Sequence, residues 1–380
     1  MTMDNQLLNT LYKTYKAPAL SGRYINLNMI KPLLDNLPTS YNVEVIGQSV
    51  LGEDILSLTI GTGPIKVLMW SQMHGNESTT TKAVFDMINS FSSVEMQSIL
   101  KACTLKIIPM LNPDGSAAYT RLNANNIDLN RDAQDLSQPE SKVLSACFNN
   151  FNPDYCLNLH GQRTLFSVGD TNKPATLSFL SPSQDELRSV TSTRLKAMNV
   201  ISAINTGLQT DLANQIGRYD DGFNINCVGD TFQSLNAPTI LFEAGHYKDD
   251  YNREVVRGFV YKALLQALNY IANDNDLGYK MEDYFKIPEN GKRFYDIIIR
   301  NAKYNDQVQD IGINYLEQLI DNKVKFRPKV VTISDLSQFY GHKEMDANNN
   351  VVLNNDNTLI SMDYENDFVI VNNVKLSLNL

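Results

Sequence analysis

The chain has 380 residues, 43% hydrophobic and 20% charged, a globular composition that excludes a disordered chain. Its 33 basic and 42 acidic side chains leave a formal net charge of −9. An acidic chain without a basic run suits neither nucleic acid nor an anionic membrane surface, and no apolar run reaches the length of a spanning helix.

In chain order, the opening MTMDNQLLNTLYKTYKAPAL reads as a helix or arm rather than a leader, with an acid at Asp4 and only short apolar pairs. Four short apolar runs follow, at 65–71 (IKVLMWS), 105–111 (LKIIPML), 154–159 (DYCLNL) and 238–243 (PTILFE). Runs without alternation are the mark of strands buried on both faces of an α/β sheet. Between them lie stripes at helical spacing: Val84, Met87, Ile88 and Phe91; Leu144, Cys147, Phe148 and Phe151; and Val256 through Ile271. The alternation predicts one α/β domain over residues 1–275, with helices on both faces of the sheet. The stretch NDNDLG then reads as a linker. Residues 280–380 are expected to form a small β-rich domain, with strands at 294–299, 329–333, 351–353 and 368–371 and one helix at 306–322. Cys103, Cys147, Cys156 and Cys227 include no C-x-x-C pair and read as buried free thiols, which places the chain in a reducing, cytoplasmic compartment.

The chain has four histidines: His74, His160, His246 and His342. His74 closely follows the first apolar run and opens H-G-N-E, with Glu77 three positions on. His160 directly follows the third run, and Glu243 ends the fourth. In open α/β sheets, ligands collect outside the carboxyl ends of the strands, so three strand ends deliver His/Glu, His and Glu to one region. Two imidazoles, one carboxylate and a water make a catalytic zinc site; zinc lowers the pKa of its water, and a second carboxylate, here Glu243, serves as base. A lone histidine at a strand end is more often structural than a ligand, whereas an acid closing a buried strand is costly without a partner or a task. N-P-D-G at 112–115 is a good turn sequence. Arg121, Asn130 and Arg131 are readable as surface polars or as a grip on a carboxylate and a carbonyl.

The ordered set H-G-N-E, N-P-D-G, R-L-N-A-N-N-I-D-L-N-R-D, L-H and F-E-A-G resembles the zinc carboxypeptidase superfamily, peptidase family M14, over about residues 45–270. The resemblance implies a mixed central α/β sheet flanked by helices. It implies one Zn2+ held by His74, Glu77 and His160, Arg121 polarising the scissile carbonyl, and Asn130 with Arg131 binding the substrate's free carboxylate. Glu243 is then the general base that passes a proton to the leaving amine. Tyr219, in G-R-Y-D-D-G-F-N, matches the family's mobile tyrosine only loosely, and Tyr247 competes for that place. Arg163, close after His160, has no counterpart role. His246 reads as structural or as a support of the site, His342 as exposed, and Trp70 as core.

The expected activity is a metallocarboxypeptidase that removes the C-terminal amino acid from short peptides. The alternative is an N-acyl-amino-acid deacylase resembling aspartoacylase and succinylglutamate desuccinylase, a reading the β-rich appendage favours and N-P-D-G disfavours. A non-catalytic binder of peptide termini is a third reading, but no ligand or base is lost. Either enzyme takes a peptide or N-acyl amino acid with a free carboxylate as its partner.

Overall fold

A computed structural model describes residues 3–273, 278–279 and 281–380. The described chain divides into two compact units, residues 1–162 with 175–290, and residues 163–174 with 291–380. The linker expected at NDNDLG falls largely outside the described residues.

The first unit is built on an eight-stranded mixed sheet. Its strands are β1 (Asn42–Gln48), β2 (Asp54–Ile60), β3 (Ile65–Ser71), β4 (Cys103–Ile108), β5 (Tyr155–Gly161), β7 (Leu177–Leu180), β8 (Ile216–Arg218) and β9 (Thr239–Ala244), in the order β1-β2-β4-β3-β5-β9-β7-β8. The strands β4, β3, β5 and β9 are mutually parallel. They match the four apolar runs to within a few residues, because strands buried on both faces need no polar alternation. The outer strands β1, β2, β7 and β8 are shorter or less uniformly apolar, and sequence patterning does not find them.

Helices cover both faces. One core packs α1 (Asn5–Tyr15), α2 (Leu27–Asp35), α3 (Thr79–Ser90), α4 (Gln97–Ala102), α7 (Ser192–Leu208) and α9 (Glu254–Asn273) against Val67, Met69, Leu157 and Leu159. The other packs α6 (Pro139–Phe151) and α8 (Val228–Ser234) against Leu68, Trp70 and Cys156. Successive residues of β3 thus enter opposite cores, as the period of two requires. Trp70 is fully buried, edge-on to Phe232 at 5.5 Å. The core between α3 and α9 also holds a charge pair: Arg257 Nε and Nη2 donate to Asp86 at 2.7 and 2.6 Å, and both side chains are 0% exposed. Cys103, Cys147 and Cys156 are buried free thiols and Cys227 is half-buried.

N-P-D-G starts a helix rather than closing a turn. In α5 (Pro113–Ala118), Asn112 Oδ1 accepts from Gly115 N at 2.8 Å, and Pro113 occupies the first turn, where its missing N–H costs nothing.

The second unit is β-rich. Strands β11 (Phe294–Tyr304), β12 (Gln307–Ile320), β13 (Lys323–Ser334) and β14 (Tyr340–Asp346) form one sheet, ordered β13-β12-β11-β14. The strands β15 (Val352–Leu353), β16 (Phe368–Val371) and β17 (Val374–Ser377) form another, and β6 (Phe166–Val168) pairs with β10 (Asn290–Lys292). The helix expected at 306–322 is instead β12. Ile311, Ile313 and Tyr315 are buried at a period of two, and the strand is paired along both edges. Its limits are set by two-residue turns, Asn305–Asp306 and Asp321–Asn322, all four residues at positive φ. That backbone matches the strand twist in hairpins and favours Asn and Asp. His342 is not exposed: its ring stacks on Phe294 at 4.5 Å and 6°, and its Nε2 meets Thr164 O at 2.8 Å.

Candidate metal centre

The site is assembled at the carboxyl ends of β3, β5 and β9. Beyond β3, the chain turns sharply through Gln72, which is buried with φ of 45°. Its Nε2 donates to Ile25 O at 2.9 Å and Gly75 O at 2.8 Å, holding the turn that presents His74. Gly75 lies so close to α5 that a Cβ there would sit 1.9 Å from the carbonyl carbon of Gly115. Asn112 Nδ2 donates to Met73 O at 3.1 Å, and Asn112 N donates to Gln72 O at 3.1 Å. The two motifs H-G-N-E and N-P-D-G are therefore one packing unit, in which N-P-D-G supplies the rigid back of the histidine turn.

His74, Glu77 and His160 converge, each offering one donor atom within 4.8 Å of the others. His74 Nδ1 lies 2.9 Å from Glu77 Oε1, His160 Nδ1 lies 3.0 Å from Glu77 Oε2, and the two Nδ1 atoms face each other at 3.1 Å. Gly161 N donates to Glu77 Oε2 at 2.9 Å. Both histidines are buried. On the far side of the first ring, His74 Nε2 meets Asp128 Oδ1 at 3.0 Å. That carboxylate calls for the ring proton on Nε2, which leaves the Nδ1 lone pair aimed into the cluster. Two facing imidazole nitrogens beside a carboxylate form a donor set that a tetrahedral cation with one open position fits.

Electrostatics agree with that reading. Burial disfavours the charged ring of His74, yet Glu77 and Asp128 override it and push its pKa up to about 9. Burial opposes the charge on Glu77 as well, but the two imidazoles hold it well below the usual carboxylate range. His160 is lowered, chiefly by burial. The cluster thus attracts positive charge at the point a cation would occupy.

Glu243 is the cross-strand neighbour of His160 in the β5–β9 ladder, so the two side chains leave the same sheet face side by side. Its Oε2 is buried and makes no hydrogen bond. Burial first, and the nearby Glu77 charge second, raise its pKa well above the ordinary value. A carboxylate held that way takes up a proton more readily than a solvated one. Arg121 reaches in from the rim, 46% exposed, with Nε 3.1 Å from Asp128 Oδ2 and Nη1 3.4 Å from Glu77 Oε1. Asn130 Oδ1 accepts from Val228 N at 3.0 Å, and Arg131 Nη1 donates to Asn130 O at 2.7 Å. Tyr219 is half-buried, and its hydroxyl pKa is raised by burial and by the charges of Glu243 and Glu77.

Asp128 is the residue that sequence reasoning passed over. It sits inside I-D-L-N-R-D, two positions before Asn130, and serves both His74 and Asn130 N, the latter at 2.9 Å. A carboxylate within a motif already read for its Asn-Arg pair was the available signal. His246 is buried against Tyr251 at 4.8 Å and is not one of the converging donors. Arg163 is exposed.

A model of the zinc carboxypeptidase family (Peptidase M14) matches residues 27–231. The chain is 26% identical over 113 residues to Probable carboxypeptidase 2 of Arthroderma benhamiae, covering 29% of this chain and 21% of that protein. It is 39% identical over 75 residues to Carboxypeptidase SOL1 of Arabidopsis thaliana, covering 17% of this chain and 15% of that one. The matches therefore span about a fifth or less of these curated relatives. Among solved structures, a metallo-carboxypeptidase from Burkholderia cenocepacia superposes with a TM-score of 0.52 at 18% identity, covering 64% of this chain and 68% of that one, a likeness of fold.

Proposed function

Because the chain belongs to the zinc carboxypeptidase family, we propose that it is a zinc-dependent exopeptidase that removes the C-terminal amino acid from short peptides. The observation that carries this reading is the buried, unpartnered Oε2 of Glu243 beside the His74, Glu77 and His160 donor set. These three residues would hold one Zn2+, which when bound acts as a Lewis acid and lowers the pKa of a water toward about 7. Asn130 and Arg131 bind the free carboxylate of the substrate, fixing which peptide bond faces the centre. Arg121 stabilises the charge that develops on the scissile carbonyl oxygen. Glu243 accepts the proton from the attacking water and delivers it to the departing amine nitrogen. Tyr219 closes over the substrate side. The free thiols suit a reducing compartment, and we place the enzyme in the cytoplasm on that ground. Among the described residues no helix is long and apolar enough to cross a membrane.

The β-rich second unit keeps the deacylase reading in play, whereas the curated relatives named above are carboxypeptidases. Incubation of the zinc-loaded protein with a pool of short peptides and N-acyl amino acids, read by mass spectrometry, separates the two. Loss of single C-terminal residues is expected. Release of acyl groups alone overturns the peptidase reading in favour of the deacylase.

A further inference from the structure

Behind the metal centre lies a cavity of about 300 Å³, bounded by α6, α8 and the segment 129–136. The sequence makes one wall of it simply: Ser141, Leu144, Ser145 and Phe148 recur at i, i+3, i+4 and i+7 and form one face of α6. From α8, Phe232 stacks on Phe148 with centroids 4.0 Å apart and planes 15° from parallel, and both rings line the cavity. No charged residue lines it. Two lining residues adjoin the site in sequence: Met73 immediately precedes His74, and Leu129 lies between Asp128 and Asn130. None of the converging donors, and none of Arg121, Asn130, Arg131, Tyr219 and Glu243, lines it.

The polar groups of the lining are held by the protein. Gln134 Nε2 donates to Thr231 Oγ1 at 2.9 Å, and Ser234 Oγ to Thr231 O at 2.7 Å. Ser141 is buried and its hydroxyl serves the Asp132 carboxylate, helping to hold that group below the usual range. A hydroxyl that donates to a carboxylate keeps its lone pairs, with which it can accept from a ligand's O–H. An apolar cavity of roughly 150 Å³ stays dry and holds benzene, so one twice as large takes an aryl group with a short alkyl chain. We propose that this cavity is a second ligand site. It binds a neutral aryl molecule of roughly ten non-hydrogen atoms, with one hydroxyl or similar group on Ser141, and its occupancy reaches the metal centre through Met73 and Leu129.

The test uses the full chain and two probes, 4-propylphenol and propylbenzene, followed by methyl NMR and calorimetry without turnover. Saturable binding is expected, with shifts at Met73 and Leu129 and a preference for the phenol that Ser141→Ala abolishes. Ser145→Phe fills the cavity from α6 and weakens binding by about tenfold or more, and Ser234→Leu does so from α8, each checked for fold by circular dichroism. No saturable binding, or binding unchanged in both filled variants, overturns the proposal. Peptide kinetics supply the last arm: saturating 4-propylphenol changes kcat, whereas a rise in KM alone would make the cavity a substrate pocket and overturn a second site. Because binding is read without turnover, failure of the peptidase reading leaves the binding result intact.

Discussion

At the scale of single residues, two carboxylates at the site differ by their surroundings alone. Asp128 is engaged on all sides: His74, Asn130 N and Arg121 hold its pKa well below the usual range against burial. Glu243 is half-buried, with its Oε2 buried and unpartnered, and its pKa rises. The first carboxylate orients; the second is left free to accept a proton. Accordingly, Asp128→Ala is expected to weaken zinc affinity about 10- to 100-fold, read by competition with a chromogenic chelator. Glu243→Gln should retain one zinc per chain by elemental analysis while losing at least about 10²-fold in kcat. Turnover at the wild-type rate in that variant would remove Glu243 from the mechanism. The motifs H-G-N-E and L-H made three donors legible because each stands at the end of an apolar run. Asp128 was hidden because nothing in its spacing says that it faces His74 across 54 residues.

At the scale of elements, the helix pair α3 and α9 conceals a charge pair between its facing sides. Asp86 and Arg257 are wholly buried, and removing one partner strands the other charge in the core. Asp86→Ala should therefore destabilise by about 3–5 kcal/mol in urea unfolding, far more than a surface ion pair. In the second unit, the hairpin turns bounding β12 require left-handed backbone, with Asn322 at φ of 58°. A β-branched residue there is strained, and Asn322→Val should cost about 1–2 kcal/mol by the same measurement. The misreading of 306–322 as a helix has its source here. The leucine and isoleucine spacing late in the segment fits 3.6 residues per turn, and only the N-D and D-N pairs at its two ends announce strands. Pairing along both edges of β12 then outweighs the local helical preference of L-E-Q-L.

For the whole molecule, acid stability depends on a junction that joins distant parts of the first unit. Glu254 meets Lys16 at 2.8 Å, Lys82 at 2.5 Å and Arg257 at 3.3 Å, and accepts from Gly22 N at 3.2 Å. Burial raises its pKa, but these cations prevail and lower it from 4.5 to about 2. A depressed carboxylate pKa contributes stability that is present above 4.5 and is lost as pH falls toward 2. Allowing for its partial exposure, the wild type should lose about 2 kcal/mol between pH 5 and pH 2 that Glu254→Gln does not lose. Equal losses in both proteins would show the junction to be electrostatically neutral.

The sequence by itself determined the α/β class, the four central strands, the three helical stripes and the three converging donor residues. These follow from apolar runs and from reactive residues at the ends of those runs, which are local patterns. The tertiary structure alone decided the order β1-β2-β4-β3-β5-β9-β7-β8 and the outer strands, which are stabilised by pairing rather than by their own composition. It alone showed that N-P-D-G backs the histidine turn through the contact of Gly75 with Gly115, and that Asp128 meets His74 Nε2. It also alone revealed the cavity behind the site, because a void is a property of facing surfaces and no single segment encodes it.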